Sequence, residues 1–191
     1  MTAAPPPSSD ATPAGVLAFW FEEIEPAAWW RKSDAFDRAL AARFGALLAA
    51  ARACELHAWR ATPDGRLAEV IVLDQFARNI HRDTPAAFAG DPLALALAQE
   101  AVARGDDRAL PPARRLFLYM PYMHSESRAI HALAPALFAS LGPAHAGNLD
   151  FEHRHKAIVD RFGRFPHRNA ILGRPSTPEE LAFLRTLGSG F

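Results

Sequence analysis

Apolar residues recur at helical spacing through most of the chain, and punctuation residues divide the pattern into segments. A Ser, Thr or Asp followed by Pro supplies an N-cap and then a first-turn proline whose missing N–H costs nothing there. Such pairs stand at Thr12-Pro13, Thr62-Pro63, Thr84-Pro85, Asp91-Pro92 and Thr177-Pro178. Glu180 three residues after Thr177 completes a capping box. Gly90, Gly105, Gly142, Gly163 and Gly188 mark expected helix ends.

These signals predict a short aromatic helix from Val16 to Phe21, with Phe19, Trp20 and Phe21 folding back on the core near Trp29 and Trp30. A long helix capped by Ser33 follows through Phe36, Leu40, Phe44, Leu47 and Leu48, then one from Arg66 to His81 and one from Pro92 to Arg104. Pro112 starts the next, which Pro121 must kink or end. Further helices are predicted over Glu126 to Leu141, from a cap at Asn148 or Asp150 through Phe162, and over Pro178 to Leu187. No run alternates cleanly with period two, and no hairpin turn separates two apolar runs. The expected fold class is all-α, an irregular antiparallel helical array with no strict repeat.

Composition narrows the possibilities. A chain of 191 residues, half of them hydrophobic, suits one globular domain, expected over residues 15–191 behind a disordered leader at 1–14. Acids and bases balance at 21 each, so no global field points to nucleic acid or an anionic membrane as a partner. Cys54 is the one cysteine, which rules out an internal disulfide and a Cys-based zinc site. The leader lacks the basic and apolar regions of a signal peptide, so the expected location is cytoplasmic.

Three stretches could carry chemistry. In Leu73 to Asp83, Asp74, Arg78 and Arg82 fall four apart on one helical face, with Gln75 and Asn79 alongside. Such a stripe on an otherwise apolar helix is either an internal ion pair or one wall of a polar pocket. In Met120 to Ser127, His124 and Glu126 surround Ser125 at a proline-directed turn and a helix start, where an anion is favoured. Ser125 has no strained elbow around it and is a poor nucleophile.

The third stretch, Phe151 to Pro175, holds six Arg or Lys against two acids, with His153, His155 and His167. On its helix Phe151, His155, Ile158 and Phe162 form the core-facing stripe, and His153 points the opposite way. The two histidines therefore cannot chelate one ion, no H-E-x-x-H pattern occurs, and neither metal nor cofactor is predicted. Beyond Gly163, Arg164, His167, Arg168 and Asn169 make a loop rich in donors, with Arg161 just before it.

Phe19 to Phe21 (FWF), Leu73 to Asn79 (LDQFARN), His124 to Glu126 (HSE) and Arg161 to Glu180 (RFGRFPHRNAILGRPSTPEE) resemble the bacterial DUF924 family. The similarity covers nearly the whole chain after the leader. It implies an all-helical fold of the tetratricopeptide-like superfamily and no particular activity. Where many members have Pro or Ser after LDQF, this chain has Ala77, which leaves the polar stripe intact.

Together these readings predict one cavity joining Asp74, Arg78, His124, His155 and Arg164. In it several permanent positive charges would meet only partial compensation from Asp74 and Glu126. The expected ligand is a small anionic molecule or an acidic peptide end. One alternative is a hydrolase or phosphate-handling enzyme with His124 or His155 as general base, oriented by Asp74 or Glu126. The other is a purely structural scaffold whose polar residues only knit helices together.

Overall fold

A computed structural model describes residues 11–190. The chain is all-α, with no strand among the described residues. Helix α1 (Pro13–Ala18) continues into a π-turn, Phe19–Glu23, and α2 spans Asp34–Arg52. Helix α3 (Pro63–Ile71) runs through a second π-turn, Val72–Phe76, into α4 (Ala77–Ile80). Then come α5 (Asp91–Arg104), α6 (Pro112–Met123), α7 (Arg128–Ala139), α8 (Ala146–Phe162) and α9 (Pro178–Phe183), linked by short 3-10 turns.

Caps explain several of these boundaries. Thr12, Ser33 and Thr62 each accept a backbone N–H from the first turn of their helix, and Thr177 and Glu180 form the reciprocal box. Gly105 and Gly163 end α5 and α8 in the left-handed conformation. Residues 1–10 of the expected leader lie outside the described residues, and its last part is structured, because Thr12 already caps α1.

Other expectations shift. Helix α7 spans Arg128–Ala139 instead of starting at Glu126, and α6 continues two residues past Pro121. Helix α8 begins at Ala146, ahead of the caps expected at Asn148 or Asp150, because a 3-10 turn at Pro143–His145 leads straight into it. Gly90 does not end a helix; it stands at the N-cap of α5. A Cβ there would lie 2.7 Å from the Leu73 carbonyl oxygen, so glycine lets the start of α5 press against the π-turn. Asp91 is therefore the first residue of α5, not its cap.

Helix α3 is the hub. It packs against α1, α5 and α6, while α2 lies against the following π-turn and α4. Trp20, Phe44, Phe76 and Phe117 are fully buried. Phe19 meets Phe44 and Phe44 meets Phe76, each pair with ring centroids 4.8 Å apart, and Trp20 stands edge-on to Phe117. The Trp29 indole N–H donates to the Trp20 carbonyl at 2.9 Å, so the aromatic opening stretch does fold back on the core. A smaller cluster of Ile158, Val159 and Phe165, backed by Phe162 and Phe183, fixes the C-terminal segment to α8.

The two π-turns each add a residue to a helical turn, a feature frequent at functional sites. All five residues of Val72–Phe76 are buried, so Asp74 and Gln75 lie inside the molecule.

Gly65 tests the packing of α3. A Cβ there would lie 1.9 Å from the Trp59 carbonyl oxygen, whereas one at Gly45, mid-α2, meets nothing within 4 Å. Gly65→Ala is expected to destabilise by about 1–3 kcal/mol. Gly45→Ala is expected to stabilise by about 0.5–1 kcal/mol. Thermal melts of the two variants check both signs.

Candidate functional site

The site grows from one buried carboxylate. Asp74 sits in the π-turn with no exposure, and three side chains satisfy its carboxylate, Arg78 by an ion pair and His124 and Gln75 by hydrogen bonds. Arg78 Nη1 lies 2.9 Å from Oδ1, His124 Nδ1 lies 2.8 Å from the same oxygen, and Gln75 Nε2 donates to Oδ2 at 2.5 Å. Burial alone would push the Asp74 carboxyl up, but the Arg78 guanidinium and His124 outweigh it and hold the carboxyl below its ordinary range.

Arg78 turns its fork to a second acid. Nη1 and Nη2 donate to the two oxygens of Asp91 at 2.9 Å each. Asp91, read from sequence as a helix cap, is thus a member of the site.

His124 closes α6 and lines a cleft of about 430 Å³. Burial first, and then Arg78, lower its pKa, against the pull of Asp74. A neutral ring with Nδ1–H donating to the carboxylate leaves Nε2 as an acceptor. The side chain keeps 15% exposure, on the cleft side.

Arg168 forms the facing part of the wall. Its side chain is only 7% exposed and is stacked between Phe88 and Phe165, with ring centroids 4.7 and 4.5 Å from the guanidinium carbon. Among the described residues its one ionic contact is Nη1 to Asp91 Oδ2 at 3.5 Å, and its Nε is buried without a hydrogen bond to them. Burial, then repulsion from Arg78, lower its pKa to about 10, so it remains a cation at neutral pH. Pro85, Phe88, Pro92, Leu95, Pro121 and Leu172 give the cleft an apolar flank.

Glu126 also lines the cleft, but both its oxygens are engaged. Arg174 holds it through two contacts of 2.5 and 2.9 Å, and the Phe165 amide donates to it at 2.8 Å. Burial raises its pKa, yet these donors bring it below its ordinary value. Arg174 Nε donates to Asn169 Oδ1, and Asn169 Nδ2 donates to Ser176 Oγ at 3.0 Å and to Glu180 at 3.3 Å. This chain of bonds locks the Phe165–Glu180 loop against the turn that carries His124.

Not every predicted residue joins the cleft. The stripe Asp74, Arg78, Arg82 breaks because the helix stops at Ile80, and Arg82 pairs instead with Asp37 at 2.6 Å and with Asn79. Asn79 donates to the Gln75 carbonyl. Arg161 holds Glu179 at the surface, and Arg164 makes a two-bond contact to Glu180 at 2.6 and 2.8 Å. Those pairs correct the expected surplus of positive charge. Asp74, Asp91 and Glu126 match Arg78, Arg168 and Arg174 one for one.

His155 is buried behind the site, its ring 6.5 Å from that of His124, and Nδ1 donates to the Phe151 carbonyl at 2.8 Å. Burial depresses its pKa to about 3, and that of His167 to about 4. His153 is exposed, on the side away from His155, as the helical spacing predicts. Phe151 departs from its predicted stripe at 48% exposed, and Glu152 is buried in its stead.

Glu152 meets His131, which sequence reading passed over. Both are fully buried, with His131 Nδ1 2.8 Å from Glu152 and Nε2 donating to the Ser125 carbonyl at 2.8 Å. This contact anchors the His124–Ser127 turn to α7 and α8. Helical phase was the available signal: His131 is four residues from Pro135, and Glu152 precedes His155 by three. Among the described residues no group of three His, Cys, Asp or Glu could hold a metal ion, and no helix is long and apolar enough to cross a membrane.

The chain is thus a helical protein organised around a buried Asp–His–Arg network at the edge of one cleft. The model of a family described as "Bacterial protein of unknown function (DUF924)" matches residues 16–188, and the chain belongs to that family. A solved structure of a protein of unknown function from Agrobacterium tumefaciens is similar to it, at 40% identity and a TM-score of 0.84. That likeness covers 91% of this chain and 96% of the other. No curated protein matches.

His155 and the half-buried His167 set an acid limit. The unfolded chain protonates His155 and His167 near pH 6.5, whereas the folded protein does so only near 3 and 4. Their contribution is complete above pH 6.5 and is lost as pH falls, by up to about 1.4 kcal/mol per pH unit for each histidine. Below about pH 4.5 the depressed carboxyls of Asp74, Glu126 and Glu180 add to the loss. Melting temperature is expected to fall already between pH 6.5 and 4.5, and more gently in His155→Phe. A flat profile over that window contradicts this.

Proposed function

We propose that the cleft binds a small molecule with an anionic group and an apolar body. The observation that carries this reading is Arg168. The other arginines around the site each hold a carboxylate at 2.9 Å or less. Arg168 reaches one only at 3.5 Å, although it is buried, stacked between two aromatic rings, and lines the cleft. A planar guanidinium pre-positioned in this way is suited to a carboxylate or phosphate oxygen pair. The apolar flank then takes the remainder of the ligand. His124 and Glu126 line the wall and Arg78 ties Asp91 to Asp74 beside it, whereas Arg82, Arg161 and Arg164 serve ion pairs elsewhere.

The test is thermal melting at fixed ionic strength in chloride, phosphate and hexanoate. A ligand at about 100 times its dissociation constant adds about 2.7 kcal/mol, or several degrees for a chain of this size. Hexanoate is expected to protect the wild type most. Arg168→Gln removes the protection, and so does Ala89→Phe, which fills the cleft and leaves the ion pairs intact. Arg161→Gln keeps it. Equal melting temperatures in all three anions favour the purely structural scaffold.

A further inference from the structure

Two groups on the cleft wall remain unsatisfied by the protein in complementary ways. Arg168 has donors to spare: its Nη1 contact is long, Nε makes no hydrogen bond, and the side chain is more than nine-tenths buried. His124 has an acceptor to spare. Its Nδ1 is committed to Asp74, so Nε2 is the ring nitrogen left for the cleft.

The two lie close together. Asp91 touches both Arg168 and Arg78, and Asp74 touches both Arg78 and His124. A ligand that satisfies both groups carries an anion to receive from the guanidinium and an O–H or N–H to give to the imidazole. The charge balance chooses between those donors. Asp74, Asp91 and Glu126 are each engaged by an arginine, so no acid remains for an ammonium group. A neutral hydroxyl meets no such cost.

We propose that the cleft takes a small hydroxycarboxylic acid with an apolar chain. The carboxylate rests on Arg168, the hydroxyl donates to His124 Nε2, and the chain lies against Phe88, Leu95, Pro121 and Leu172. This assignment rests on the anion-binding reading above and adds the hydroxyl to it. His124 acts as a specificity-determining residue, held in its accepting tautomer by Asp74.

Isothermal titration with 2-hydroxyhexanoate, 3-hydroxyhexanoate, hexanoate and the 2- and 3-methoxyhexanoates tests it at pH 7.5. One of the hydroxy acids is expected to bind about three- to tenfold tighter than hexanoate, the size of one hydrogen bond to a neutral acceptor. Its methoxy counterpart, which keeps the oxygen but not the donor, loses that gain in the wild type and needs no variant. In His124→Phe the hydroxy acid and hexanoate bind alike. Equal affinity of hexanoate and both hydroxy acids for the wild type overturns the hydroxyl assignment and leaves the anion reading standing. A hydroxyl preference that survives in His124→Phe overturns the role of His124. If none of these acids binds, both readings fall.

Discussion

A carboxylate with no exposure to water is the constraint on which this structure depends. Removing Asp74 from solvent costs several kcal/mol unless charge and hydrogen bonds replace the lost hydration. The protein meets that cost with three side chains from two parts of the chain. Gln75 and Arg78 come from the same helical run, and His124 comes from the end of α6. Arg78 brings the start of α5 through Asp91, which Gly90 allows to approach the π-turn. Satisfying one acid therefore fixes the relative placement of α3–α4, α5 and α6, and it leaves His124 with a defined tautomer at the edge of a cleft.

A second layer keeps that edge in place. The turn after α6 is gripped from behind by His131, itself held by Glu152 of α8. From the side it is gripped by Glu126, whose partners Arg174 and the Phe165 amide belong to the C-terminal loop. The same loop presents Arg168 between Phe88 and Phe165. Most of the polar residues near the cleft are thus occupied in building it, and this sets Arg168 and His124 apart. The proposal of a bound anion rests on that contrast between engaged and partly engaged groups, and not on a net positive charge.

Much of the fold was legible because local rules decided it. Thr12, Ser33, Thr62 and Thr177 cap the helices their positions predict, and helical phase separates buried His155 from exposed His153. Membership of Asp74, Arg78, His124 and Glu126 in one region was also visible, as polar residues set among apolar neighbours. The partners were not. Asp91 followed the usual capping pattern, and only the close approach at Gly90, a tertiary fact, freed its carboxylate. Arg82 continued the stripe on paper, but the helix ended at Ile80 and sent it to Asp37. Glu152 and His131 pair across 21 positions of sequence, which no periodicity links. The π-turn at Val72–Phe76 was equally hidden, because it depends on packing along both sides of the helix.

Burial and the neighbouring Arg78 keep His124 neutral, and Asp74 holds its proton on Nδ1, which leaves Nε2 open to the cleft. Two-dimensional 15N NMR of the imidazole rings at pH 7.5, with His124 assigned by its loss in His124→Phe, reads this directly. A protonated-type shift is expected at Nδ1 and an unprotonated-type shift at Nε2, with this pattern lost in Asp74→Asn. A His124 ring protonated on both nitrogens, or one carrying its proton on Nε2, would contradict it.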